Sequence, residues 1–198
     1  MDSERIYLKK ITPEDFTPAV IEWFKDPELM KYYTNSGSAI SLENILESIR
    51  SGEETGTAFT YGIFLKETNE MIGTVKIGTI IKSHAISDLA TLIGNKNYQG
   101  KGLACEAVRL GTTLAFENYK IRKLFSGMYA SNISAVKTYV KAGWVVEGSL
   151  KGHYQVDGRN EDRVLVGCFN PAFFTEDEIA AAHAAQPSKG AGSGLSPL

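Results

Sequence analysis

Long apolar runs, clustered basic residues and cysteine are what this chain of 198 residues has least of. No uninterrupted apolar stretch approaches the ~20 residues that span a bilayer, so a spanning helix is excluded. The opening MDSERIYLKK also lacks the apolar segment of a signal peptide, and the expected location is cytoplasmic. Lys and Arg number 21 against 23 Asp and Glu, a net charge of -2, and no segment gathers the basic residues that a phosphodiester backbone requires. Neither nucleic acid nor a membrane is an expected partner. Cys105 and Cys168 are the only cysteines, too few for a zinc cluster or a disulfide framework, and both read as small buried residues. Internal repeats are absent as well.

What is present is an ordinary globular composition. The hydrophobic fraction of 43% and charged fraction of 22% are enough apolar material for one well-buried core. A single domain is expected over residues 1–184. The Gly-, Ser- and Pro-rich end, residues 185–198, has almost nothing large and apolar to bury and is expected to be a flexible tail.

The hydrophobic period changes along the chain. A short strand is expected near Ile6 to Lys9, followed by TPEDFTPAVIEWFKDPELMKYY, a helical stretch with breaks at its prolines and Asp15 near the start of a turn. Ser41 is placed to N-cap a second helix that Gly52 closes. From Phe59 the pattern alternates, and three consecutive antiparallel strands are predicted, ending in DLATLIG. Leu103, Ala107, Leu110 and Leu114, with Ala104, Val108, Gly111 and Ala115 beside them, then form a broad helical stripe leading into the strand KLFSGMYA. Strand, helix and strand make a right-handed crossover between parallel strands. A helix over Asn132 to Ala142 follows, then WVVEGSL and RVLVGCF as a hairpin joined by a long loop, KGHYQVDGRNED. PAFFTEDEIAAAHAA is predicted as the last helix.

The stretch IGNKNYQGKGLACEAVRLG, Ile93 to Gly111, concentrates three glycines and two lysines ahead of the helical stripe. Small residues at a helix entrance let backbone N–H groups approach a phosphate, and the positive end of the helix dipole faces it. The nucleotide P-loop needs four residues between its first Gly and the Gly-Lys pair, then Ser or Thr for magnesium. Here five residues separate Gly94 from Gly100, and Gly102 follows Lys101. A dinucleotide fingerprint would require Gly or Ala at Cys105 and a preceding parallel unit. Both spacings fail.

What remains is Gln99-Gly100-Lys101-Gly102-Leu103-Ala104, which resembles the acyl-CoA loop of the GNAT acyltransferase superfamily. The later segment ASNISAVKTYVKAGWVVEG is similar to a second motif of that superfamily: Asn132 begins a helix, Tyr139 follows seven positions on, and Gly143-Trp144 ends it. The resemblance runs from about Ser3 to Phe169. It leans toward the branch with ribosomal-protein N-terminal, spermidine and nucleotide-sugar N-acetyltransferases, which WFKDPELMKYY and EGSLKGHYQVDGRNEDRVLVG resemble. Gln99 in place of the commoner Arg, and Trp144 in place of Phe, are departures. The implied fold is α/β (α+β): a mixed, mostly antiparallel sheet of about seven strands, a splayed parallel pair at its centre, and helices on both faces.

The resemblance implies an acetyl-CoA-dependent N-acetyltransferase acting by direct attack in a ternary complex, with no metal. Its acceptor is a small-molecule or peptide amine, possible choices being an amino sugar nucleotide and a protein N-terminus. A non-catalytic acyl-CoA-binding module on the same fold is the alternative. A homodimer is what the family suggests. Gln99, Gly100, Lys101, Gly102, Leu103 and Ala104 are the expected cradle for the pyrophosphate, with Asn132 and Ser134 also on the cofactor. Backbone N–H groups around Leu92 and Ile93 are the expected oxyanion donors. Asn132 and Tyr139 lie within roughly 20° on a helix, about 10 Å apart along its axis, so the pantetheine arm has one face to follow. Tyr139 is the candidate acid for the departing thiolate, a phenol titrating near ~10 and a thiol near ~8.5. Asp88 is the candidate base, with His84 and Glu106 as further possibilities. Tyr32, Tyr33, His153 and Tyr154 are expected to shape the acceptor cleft.

Overall fold

The computed structural model describes residues 1–32 and 41–185. Seven strands form one sheet in the order β1-β2-β3-β4-β5-β7-β6. They are β1 (Ile6–Lys10), β2 (Phe59–Leu65), β3 (Met71–Ile81), β4 (Ile86–Ile93), β5 (Lys123–Tyr129), β6 (Val145–Val156) and β7 (Arg159–Phe169). All neighbours are antiparallel except β4 and β5. The helices are α1 (Pro18–Trp23), α2 (Pro27–Met30), α3 (Leu42–Thr55), α4 (Leu103–Tyr119), α5 (Ile133–Lys141) and α6 (Glu176–Ala184). Among the described residues no helix is long and apolar enough to cross a membrane.

Two apolar clusters occupy the two faces of the sheet. On one, α4 buries Leu103, Ala107, Val108, Leu110, Gly111, Leu114 and Ala115, which join Val75, Ile77, Leu89, Leu124, Val136 and Tyr139. On the other, Val20 and Trp23 of α1 pack with Phe16, Phe64 and Met71, and Leu42, Ile45, Leu46 and Ile49 of α3 lie against them. The predicted stripe is therefore the buried face of α4, except that Ala104 is half-buried.

Proline and capping chemistry divide the first helical stretch. Thr17 accepts the Val20 N–H ahead of Pro18, and Asp26 accepts the Glu28 and Leu29 N–H groups ahead of Pro27, so the stretch becomes two short helices instead of a continuous one. Ser41 caps α3 as expected, its hydroxyl accepting the Asn44 N–H at 3.1 Å. Gly52 does not close that helix. It lies inside, where a Cβ would stand 2.9 Å from that of Ala58, and the left-handed Gly56 ends the helix one turn later.

KGHYQVDGRNED is not a long loop: β6 and β7 run to Val156 and Arg159, paired with each other, and turn through Asp157 and Gly158 alone. Both have positive φ, 48° and 74°, the tight turn that suits the twist of paired strands. His153 and Tyr154 thus stand on a strand.

Candidate functional site

The sheet opens after Asp88. β4 and β5 pair only over Ile86–Asp88 against Lys123–Phe125; beyond that point β4 stays with β3 and β5 with β7, leaving a wedge between them. The Leu89 carbonyl accepts the Tyr139 hydroxyl at 2.9 Å, and the Ile93 carbonyl accepts Gln99 Nε2 at 2.9 Å. The Gly94 N–H turns the other way, to Ile72 of β3 at 2.9 Å. Because backbone groups alternate sides along a strand, the N–H groups of Thr91 and Ile93 face the wedge. That of Leu92, opposite Thr74, faces β3. Of the two strand residues expected as donors, Ile93 is turned into the wedge and Leu92 away from it, while Thr91 was not anticipated.

Past Ile93 the chain forms the glycine loop and enters α4. Gly100 and Gly102 hold φ of 72° and 80°, left-handed conformations strained for residues with a Cβ. A Cβ on Gly100 would meet nothing within 4 Å, so its backbone is open to an approaching group. Gly102 caps α4 with no side-chain hydrogen bond, leaving the first helical N–H groups, including those of Leu103 and Ala104, without an intrahelical acceptor. Arg5 of the N-terminal segment braces the turn, donating to the Lys101 carbonyl at 3.0 Å and pairing with Glu106. Lys101 Nζ lies 5.2 Å from the centre of the Tyr98 ring. The third glycine does something else: a Cβ on Gly94 would fall 2.1 Å from the Trp23 ring, so Gly94 admits α1 to the sheet.

α5 brings Asn132 and Tyr139 to the same region. Asn132 is the N-cap, its Oδ1 accepting the Ala135 N–H and the Ser134 hydroxyl. Tyr139 is buried, with its ring edge-on to Trp144 at 4.8 Å. Trp144 is accommodated where a Phe was the commoner expectation because its indole N–H finds Thr112 Oγ1 at 3.1 Å.

Asp88 sits where the strands part. Its Oδ1 is buried with no hydrogen-bond partner among the described residues. Burial pushes its carboxyl up to about 6, opposed by the Leu89 N–H, the Arg163 and Lys76 charges and the Ser126 hydroxyl. The other two candidate bases are elsewhere. Glu106 is held by Ser3 and Arg5 at the start of α4, and these bonds keep its carboxyl below the usual range against the opposing effect of burial. His84 precedes β4, at the end where the strands still pair.

The predicted aromatics converge, with additions. Tyr154 stacks on Tyr129 at 4.0 Å, Tyr129 meets Tyr32 at 5.6 Å, and His153 packs edge-on to Tyr154 at 5.1 Å. Tyr33 lies outside the described residues. Tyr129 and Arg163 belong to this group but were not singled out from the sequence. The Arg163 guanidinium lies 5.9 Å from the Tyr154 ring centre and crosses Gly127, where a Cβ would come within 1.9 Å of its Nε. A glycine inside a strand signals such a close approach, and Gly127 was the available clue. A separate groove of about 740 Å³ between α3 and the chain after β1, lined by Ile11, Leu42, Leu46 and Ile49, shares no residue with the wedge.

Comparison with known proteins gives consistent matches. The family pattern described as "Acetyltransferase (GNAT) domain" matches residues 5–145. A Bacillus subtilis protein named Probable N-acetyltransferase YjcK is 29% identical over 140 residues, 71% of this chain and 75% of that one. The ribosomal protein uS5-alanine N-acetyltransferase of Escherichia coli is 27% identical over 128 residues, 64% of this chain and 65% of its own. Among solved structures, spermidine N-acetyltransferase from Vibrio cholerae in complex with CoA and spermine superposes with a TM-score of 0.75 at 18% identity, covering 85% of this chain and 97% of that one.

Proposed function

The chain belongs to the GNAT acetyltransferases, acetyl-CoA-dependent acyltransferases, and from that premise we propose that the wedge between β4 and β5 is where it acetylates a primary amine by direct attack. The observation that carries the reading is the parting of the strands at Asp88, with a buried carboxylate oxygen lacking a partner on one side and the Tyr139 hydroxyl entering from the other.

The residues fit the donor. Gly100 and Gly102 in left-handed conformations and an α4 entrance with no side-chain cap offer backbone N–H groups and a positive dipole end to the pyrophosphate. Lys101 adds a positive charge, and Gln99 fixes the loop to Ile93. The wedge edge of β4 supplies amide groups to the pantetheine arm, with Asn132 and Ser134 at the start of α5 flanking it. Acetyl-CoA, when bound, supplies a thioester carbonyl and a thiol leaving group.

Each group of the chain then has one task. Asp88 removes a proton from the attacking ammonium, which otherwise stays charged below pH ~10. A base with a pKa near 6 is ionised at neutral pH and more basic than an exposed carboxylate. Thr91 and Ile93 N–H groups are fixed donors to the carbonyl oxygen as it becomes negative, requiring no reorganisation. Tyr139 Oη delivers a proton to the leaving sulfur. Tyr32, Tyr129, His153 and Tyr154 wall the side from which the amine arrives.

Thermal unfolding with acetyl-CoA, and with ATP and NAD as controls, tests the donor first. A ligand at 100 times its Kd stabilises by about 2.7 kcal/mol, roughly 5 to 10 °C for a chain of this size. A shift selective for acetyl-CoA, followed by CoA release on adding amines, is the expected result. A selective shift without release by any amine identifies a binding module, and a shift with ATP or NAD alone overturns the reading of the loop.

A further inference from the structure

Resting on the acyltransferase reading of the wedge, the geometry points to an acceptor class: we propose that the amine substrate carries an anionic group, a carboxylate or a phosphate, which Arg163 engages beside Asp88.

Arg163 stands on β7 opposite Tyr129 of β5, and its charge acts on Asp88. Its guanidinium lies over Gly127, two residues along β5 from Phe125, the partner of Asp88, which brings it beside the place where the attacking amine loses its proton. The guanidinium is laid across Gly127 and against the Tyr154 ring, which fixes its plane. Its Nε is buried with no hydrogen-bond partner among the described residues, and its Nη1 lies 3.4 Å from His153 Nε2. The planar fork of a guanidinium suits the two oxygens of a carboxylate or phosphate.

Among the described residues, the neighbouring carboxylates do not fill that role. β6 and β7 carry Glu147, Glu161 and Asp162, and these are engaged by Lys123, the Ser131 N–H and Lys151. The Arg163 charge acts on Asp88, yet the two side chains form no ion pair within 4.0 Å. Half-buried Lys76 adds a second positive charge acting on Asp88. Two cations facing one carboxylate disfavour a polycationic acceptor and favour an amine whose own negative charge restores the balance.

Matched acceptor pairs isolate the anion. Phenylalanine against 2-phenylethylamine tests the carboxylate, glucosamine 6-phosphate against glucosamine tests the phosphate, and spermidine is the polycationic control. Turnover is measured as kcat/KM for wild type, Arg163→Gln and Arg163→Lys, and the same compounds are titrated into the CoA-loaded protein. A charge-assisted hydrogen bond predicts a preference of roughly 10- to 100-fold for the anionic member of at least one pair. Arg163→Gln should bring that ratio near one, with Arg163→Lys between. The acetyl-CoA thermal shift of each variant reports that it is folded, and if Arg163→Gln fails that check the Lys variant carries the comparison. Equal use and equal binding of anionic and neutral members by wild type overturns the proposal, as does a ratio indifferent to Arg163. Preferential binding of the anionic member without turnover keeps the anion site and removes the acyltransfer reading instead.

Discussion

Replacing Asp88 by Asn tests the base and its environment in one variant. The carboxyl is raised from 3.8 to about 6, chiefly by burial. The folded protein therefore holds this proton to a higher pH than the unfolded chain does. Between those values the native state binds more protons, so stability falls as pH rises; the penalty is absent below about pH 4 and complete above about pH 6. A carboxyl raised this far is worth roughly 3 kcal/mol. Asn keeps the shape without the charge, so Asp88→Asn should unfold roughly 5 to 10 °C higher than wild type at pH 8, with the two converging near pH 4. Activity should move oppositely, falling about 10²- to 10⁴-fold as expected for loss of a general base. Two measurements decide the matter: melting curves at pH 4 and pH 8, and a pH profile of kcat/KM with one amine. Wild type should show an ionisation near pH 6 that the variant lacks, while the limb from the amine's own titration persists in both. A variant with an unchanged limb near pH 6 and no gain in melting temperature at pH 8 would refute both the buried charge and its role.

The other predictions separate binding, chemistry and packing. Tyr139→Phe removes the hydroxyl that bonds the Leu89 carbonyl; kcat should fall with the acetyl-CoA KM little changed, at a stability loss of about 1 kcal/mol, and full turnover would sink the acid role. Gly100→Ala places a Cβ at φ 72° with open space around it, costing about 1–2 kcal/mol and raising the KM for acetyl-CoA in steady-state assays. Gly94→Ala should do the reverse, because its Cβ meets the Trp23 ring: a loss of about 1–3 kcal/mol in denaturant unfolding, with the acetyl-CoA KM held. Arg5→Ala unties the Lys101 carbonyl from the N-terminal segment, and a weaker acetyl-CoA thermal shift is the expected reading.

These outcomes depend on how one sheet separates its duties. Pairing at Ile86–Asp88 holds β4 and β5 together, and their divergence beyond it exposes one backbone edge of β4 without leaving the sheet's core open. Tyr139 is fixed by Val136 and Trp144 around it, so its hydroxyl is presented by rigid packing. Asp88, Arg163 and the tyrosines come from four strands and the segment after α2, elements that are far apart in sequence.

Local chemistry was readable directly. The stripe of α4, the Ser41 cap, the Asn132 cap and the glycine loop each depend on residues within a few positions of one another, and the alternation of Phe59 to Ile81 marked the first antiparallel strands. Two local signals are ambiguous in the sequence: Gly56 rather than Gly52 supplies the left-handed end of α3, and Asp157-Gly158 is a two-residue hairpin turn inside what reads as a polar loop. The remainder required the folded chain. That Gly94 serves Trp23 while Gly100 and Gly102 shape the loop depends on which ring arrives over which backbone. That Ile93 faces the wedge while Leu92 turns away depends on the register of β4 with β3. Tyr129 and Arg163 looked like ordinary strand residues, since an alternating pattern places side chains on a face but not beside a particular neighbour. Sequence determined the elements because propensity and capping act over a turn or less; tertiary structure decided the site because burial, charge and orphaned hydrogen bonds arise only where distant strands meet.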